Sequence, residues 1–138
     1  MTMTLKEQLL RDEGFSSKPY RDTAGKLTIG IGRNLDDVGI SKEEALYLLD
    51  NDISKATSAL LQALPWVKDL DEARRNVLIN MTFNMGIGKL LDFKYTLSLI
   101  KSGDYELASK NMQLSKWAMQ VGSRAIRLAA IMEHGEEA

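Results

Sequence analysis

The chain has no cysteine. That excludes a disulfide framework, thiolate metal sites and a cysteine nucleophile. It has one histidine, His134. A lone imidazole cannot build a multi-histidine metal site and makes a Ser-His-Asp triad a poor expectation. Neither a metal nor a cofactor is therefore expected. Prolines are also scarce, and Pro19 and Pro65 both fall where helical periodicity breaks. No apolar run approaches the roughly 18 residues that a membrane span requires, so no membrane insertion is expected. The first residues, 1–11, contain no apolar stretch of signal-peptide length, which predicts synthesis and folding in a cytoplasm.

What is present is enough for one packed domain. The 138 residues are 44% hydrophobic and 27% charged, which excludes disordered and low-complexity classes. The net charge of −1 hides an uneven distribution. Residues 35–72 carry nine acids against three bases, and residues 73–132 carry nine bases against three acids. A basic stretch of this kind suits an anionic polymer, and ordinary solvated helix faces account for it equally well.

Most of the sequence reads as helix. Thr4-x-x-Glu7 is a capping box ahead of Leu5, Leu9 and Leu10, and Gly14 ends that helix near Glu13. Ser41-x-x-Glu44 opens a long helix with Ala45, Leu49, Ile53, Ala56, Leu60 and Leu64 at helical spacing. Asp69-x-x-Glu72 is read as the start of a third helix carrying Ala73, Val77, Met81 and Met85, ending at Gly86. Shorter helices are expected at about 94–101, 104–113 and 123–133. Residues 15–34 differ: turn-forming Pro19 to Gly25 is followed by an alternating Lys26 to Ile31, which predicts a short hairpin or meander. The expected fold is α+β and mostly α. A small N-terminal lobe (about 13–45) leads through a long helix to a helical C-terminal lobe (about 65–138) joined by residues 1–12. A cleft between lobes is a favoured place for a ligand. The methionines 81, 85, 112, 119 and 132, and both tryptophans, read as core filler.

Without cysteine or a placed histidine, carboxylates are the natural acid and base. Glycosidic bonds are cut by two carboxyls, one protonated and one ionised, in different environments. Glu13 and Asp22 meet that demand. Glu13 would lie at the negative end of a helix dipole, and Asp22 in a turn where backbone N–H groups suit a charged carboxylate. Thr28 follows on the hairpin, with a hydroxyl able to orient a water. The plain alternative is a surface helix end and an ordinary turn aspartate. Gly30-Ile-Gly32 fails the dinucleotide pattern because Leu35 stands where the third glycine belongs, so these glycines read as permitting a tight strand and close approach of a substrate.

The segment from Glu13 through Asp22 and Thr28-Ile-Gly-Ile-Gly32 to Asn34 resembles the phage-type lysozymes (endolysins). Ile79 to Gly86 is similar to a second block of that family. Ser115-Lys-Trp117 with Ser123-Arg124-Ala-Ile-Arg127 is similar to a third, and the order of the blocks is the same. The resemblance implies a lysozyme-like fold. It also implies hydrolysis of the β-1,4 bond between N-acetylmuramic acid and N-acetylglucosamine in peptidoglycan, with inversion. By that resemblance Glu13 is the acid, Asp22 the base or electrostatic partner, and Thr28 a holder of water. Arg124 matches the arginine that pairs with the acid. Asn34, Phe83, Thr96 and Asn111 match substrate contacts, although Phe83 reads equally well as a core residue of its helix. The sequence departs from the family's type member at Arg33, which replaces a histidine, and at Thr96, which replaces a serine; the stretch from Asn34 to Ser41 is short. The resemblance further implies a monomer held in the host cytoplasm and released to the wall by a holin-type membrane protein. Hydrolysis is expected over a lytic transglycosylase reaction or a silent glycan-binding module, and no nucleic-acid partner is expected.

Overall fold

The computed structural model describes residues 2–136. Chain contacts divide it into two compact units, Met1–Leu48 and Leu49–Ala138.

The first unit opens with α1 (Leu5–Glu13). Thr4 caps it, its hydroxyl oxygen accepting from the Glu7 N–H at 3.1 Å. The Gly14 N–H closes the other end on the Leu10 carbonyl at 2.8 Å. Three antiparallel strands follow in the order β1 (Ser16–Arg21), β2 (Leu27–Gly30) and β3 (Arg33–Asn34). The expected meander is therefore present. Tyr20 pairs with Thr28, and Thr28 with Asn34. A turn over residues 34–39 is held by the Asp36 carboxylate accepting from the Leu27 N–H at 2.7 Å.

Helix α2 (Lys42–Ala63) starts in this unit. Its capping box is reciprocal: the Glu44 N–H donates to Ser41 Oγ at 3.1 Å, and the Ser41 N–H to Glu44 Oε1 at 2.9 Å. Glu44 also receives the Arg33 guanidinium at 2.6 and 2.7 Å. The helix start is thereby tied to β3. The Arg33 bonds, followed by the Ser41 N–H, hold the Glu44 carboxyl down to a pKa of about 2.

The second unit holds the apolar core. The remainder of α2 and a 3-10 turn (Pro65–Asp69) lead to α3 (Glu72–Met85). The start of α3 corrects the sequence reading. Asp69 ends the 3-10 turn, and the cap is Asp71, whose carboxylate accepts from the Arg74 N–H at 3.0 Å. Pro65 fixes a backbone angle suited to a tight turn, and the helix start moves two residues on, from Asp69 to Asp71. Then come α4 (Ile87–Leu91), α5 (Lys94–Ser102), α6 (Tyr105–Gln113), α7 (Lys116–Val121) and α8 (Ser123–His134). The short helices α4 and α7 escape the sequence reading because one or two turns carry too few apolar repeats to show a period. Helix α6 packs on α5 and α8, and α3 packs on α4 and α8.

Leu60, Val77, Leu78, Met81, Leu90, Ile100, Met112, Ala129 and Met132 are buried at the centre. Each large side chain there contributes about 1.5–3 kcal/mol of burial. Trp117 is buried as expected, its ring edge-on to Phe93 at 6.3 Å and its N–H donating to Asn84 Oδ1 at 2.8 Å. Met119 does not join the core. It is 83% exposed, because the short α7 turns only the Trp117 side inward.

Candidate active site

The first unit gathers four of the expected residues around its sheet: Glu13, Asp22, Thr28 and Asn34. Glu13 is the last residue of α1. Its carboxylate lies against Gly32 in the β2–β3 turn: a Cβ at Gly32 would fall 2.8 Å from Glu13 Oε2 and 3.0 Å from its Cδ. Gly32 has φ +72°, a left-handed conformation natural to glycine. The glycines of Gly30-Ile-Gly32 are expected to admit a substrate; what lies against Gly32 in the structure is the chain's own Glu13.

Asp22 follows β1 and builds the turn to β2. Its Oδ1 accepts from the Ala24 N–H at 2.9 Å and the Lys26 N–H at 2.8 Å. Both bonds use one oxygen, which fixes the carboxylate plane and leaves Oδ2 outside the turn's bonds. Thr28 is buried, 3% exposed. Its hydroxyl donates to the Lys26 carbonyl at 2.9 Å, and the Asp22 N–H donates to the same oxygen at 2.9 Å. Asp22 and Thr28 therefore hang from a single acceptor. Sequence spacing contains no signal for that shared carbonyl, since any residue at position 26 supplies one.

Asn34 is committed to its turn. Its amide donates to Asp37 Oδ2 at 3.1 Å, and its Oδ1 accepts from the Asp37 N–H at 2.9 Å.

The other expected residues lie in the second unit. Phe83 is 45% exposed, so the core reading of it is incorrect. Helix α3 turns Val77, Leu78 and Met81 inward and carries Phe83 outward. Phe83 and Arg124 line one groove of about 400 Å³ with Leu49, Ile53, Ile79 and Asn80. Thr96, in the first turn of α5, borders a separate pocket of about 290 Å³ beside Tyr95 and Ser115. Asn111 is half-buried on α6, its amide donating to the Leu107 carbonyl at 3.2 Å.

An acid held over a sheet turn, with a fixed carboxylate and a hydroxyl on one carbonyl, is a set suited to hydrolysis at a sugar bond. Comparison with known proteins agrees. Residues 11–134 match the phage lysozyme family.

The chain belongs to the phage lysozyme family.

Among relatives, "Probable T4-type lysozyme 1" of Dictyostelium discoideum is 32% identical, over 98% of this chain and 96% of that protein. The "Pre-baseplate central spike protein Gp5" of Enterobacteria phage T4 is 30% identical over 96% of this chain, which spans only 28% of that longer protein. A "SAR-endolysin" of Escherichia phage Mu is 27% identical over 86% of this chain and 68% of its own length. As a phage lysozyme, the chain is a glycoside hydrolase with a muramidase-like, peptidoglycan-lytic role. Its mostly helical α+β fold agrees with that membership. Among the described residues, no helix of this lysozyme is long and apolar enough to cross a membrane.

Proposed function

We propose that this lysozyme hydrolyses the β-1,4 bond between N-acetylmuramic acid and N-acetylglucosamine, with Glu13 as general acid and Asp22 and Thr28 holding the attacking water. The observation that carries this reading is the shared carbonyl of Lys26. The Thr28 proton is spent on that oxygen, so the hydroxyl oxygen is free to accept a hydrogen from a water. Asp22 Oδ2 accepts the other. The water's lone pair is then free to attack the muramic acid C1. As that bond forms, Glu13 gives its proton to the departing oxygen of N-acetylglucosamine, and Asp22 takes the proton that the water loses. Attack by water on the opposite face inverts the anomeric carbon, and the room it needs sets the two carboxyls roughly 6.5–9.5 Å apart.

Arg124 is read as the partner of the Glu13 carboxylate. Phe83 offers an apolar ring face to a sugar, and Thr96 and Asn111 offer a hydroxyl and an amide. Asn34 is read as a further substrate contact, its amide keeping a second N–H beside the one given to Asp37. We also place residues 1–12 with the helical lobe. Helix α1 has nine residues and no buried side chain, and Leu5 is 68% exposed. A helix that short is marginal alone, so its apolar stripe requires a surface. Deleting residues 2–12 then lowers the stability of the helical lobe. The reading is completed by action as a monomer, held in the host cytoplasm until a holin-type membrane protein gives access to the wall. Expression with and without such a protein tests that last step.

Mass spectrometry of digested peptidoglycan tests the chemistry. The wild type is expected to release muropeptides that have gained one water. Glu13→Gln is expected to release none, with an unchanged circular dichroism spectrum. Anhydro products from the wild type, or full clearing by Glu13→Gln, would refute the assignment.

A further inference from the structure

We infer that Asn80 is a positioning residue for catalysis, holding the Arg124 guanidinium in one orientation while leaving its charge uncancelled. The inference rests on the reading of Arg124 as the partner of the catalytic carboxyl.

Arg124 is half-buried and is held twice by one acceptor. Its Nε donates to Asn80 Oδ1 at 3.1 Å and its Nη2 donates to the same oxygen at 2.7 Å. Two donors on one acceptor fix the plane of the guanidinium and its rotation about the last side-chain bond. Arginine has five N–H donors in a rigid fork. Two are spent on Asn80, so the Nη1 edge and the second Nη2 hydrogen point elsewhere. No carboxylate of the second unit pairs with Arg124 among the described residues. The groove around it is lined by Leu49, Ile53, Ile79 and Phe83. Apolar walls strengthen the field of an unpaired cation.

The chemistry of the anchor matters. An aspartate at position 80 would grip the guanidinium more strongly. It would also cancel the charge that a catalytic carboxyl is to feel. A free arginine would keep the charge but spread it over many rotamers, since the long side chain is entropically costly to order. A neutral amide oxygen gives order without neutralisation. Asn80 stands one turn after Asn76 on α3, on the exposed side of the helix, away from the buried Val77, Leu78 and Met81. Its side chain therefore has no part in the core, and its amide oxygen is given over to Arg124.

The test is a double-mutant cycle on soluble peptidoglycan fragments, with kcat and KM measured by release of reducing ends. The variants are Asn80→Leu, which keeps the branched shape and removes the acceptor, Arg124→Leu, and the pair. Asn80→Leu alone is expected to lower kcat about tenfold and leave KM within about twofold, as a misaligned catalytic group does. In the Arg124→Leu background it is expected to lower kcat no further. Losses that multiply would overturn the inference, because Asn80 would then act by another route. So would an Asn80→Leu enzyme with normal kcat beside an impaired Arg124→Leu. If Arg124→Leu itself turns over normally, the reading of Arg124 fails first, and the inference with it. If Asn80→Leu does not fold, Asn80→Ser, whose hydroxyl is too short to reach, takes its place with the same expectations.

Discussion

Replacing Gly32 by alanine separates the position of Glu13, the proposed general acid, from the stability of the sheet. Two effects are expected. The first is backbone strain, because φ is +72° at Gly32; an L residue there costs about 1–2 kcal/mol. The second is contact with Glu13. The new methyl would fall 2.8 Å from Oε2, 3.0 Å from Cδ and 3.2 Å from Cγ. Ordinary contact begins near 3.4 Å, so Oε2 must retreat by about 0.6 Å, and the rest of the side chain with it. Glu13 is exposed and flexible, so the retreat adds little to the stability cost. For activity it is costly, since a 1 Å misplacement can remove about 100-fold. Gly30→Ala is the control. Its φ is +69°, yet nothing lies within 4 Å of the added methyl. Both variants are expected to lose about 1–2 kcal/mol in urea unfolding. Only Gly32→Ala is expected to lose turnover, by about 10- to 100-fold in kcat. Equal turnover in the two variants would refute the contact as a determinant of the acid's position.

Three further outcomes follow from the same structure. Arg74 donates from Nε to the Met132 carbonyl at 2.7 Å and from Nη2 to that of Glu133 at 2.8 Å, while its guanidinium lies 3.6 Å over the Tyr105 ring. Arg74→Met leaves the end of α8 uncapped and is expected to cost about 2–4 kcal/mol by thermal unfolding; a change below about 0.5 kcal/mol would discount the cap. Glu44 has a folded pKa lowered to about 2 from an ordinary 4.5, so its contribution is complete above pH 4.5 and is lost as pH falls toward 2. Glu44→Gln should therefore be less stable than wild type at pH 6, with the gap closing at pH 2; a gap independent of pH would discount the pair with Arg33. Leu78→Ala, in the fully buried centre, is expected to cost about 2–5 kcal/mol by urea unfolding, and a loss below about 1 kcal/mol would show that the core collapses around the gap.

Local signals settled much of this protein before any folding was considered. Thr4, Ser41 and the glycines after α1 and α3 mark their helix ends because capping is a contact within one turn of chain. The absence of cysteine and of a usable histidine pointed to carboxylate chemistry, and the spacing of Glu13, Asp22 and Thr28 carried the family resemblance. Asp71 rather than Asp69 as the cap of α3, and the helices α4 and α7, were not legible, because each depends on packing around a turn too short to show a period. Nor was the site's fine geometry. The acceptor that joins Asp22 to Thr28 is a backbone carbonyl, which every residue type provides. Gly32 reads as a glycine of a tight strand, and only the fold lays Glu13 against it. Asn80 and Arg124 stand 44 residues apart, and no periodicity links them; α3 and α8 pack together and bring them into contact. The sequence alone determined which chemical groups are available and where helices begin. Their partners were decided only by tertiary structure, because hydrogen bonds between distant segments depend on packing that local pattern does not encode.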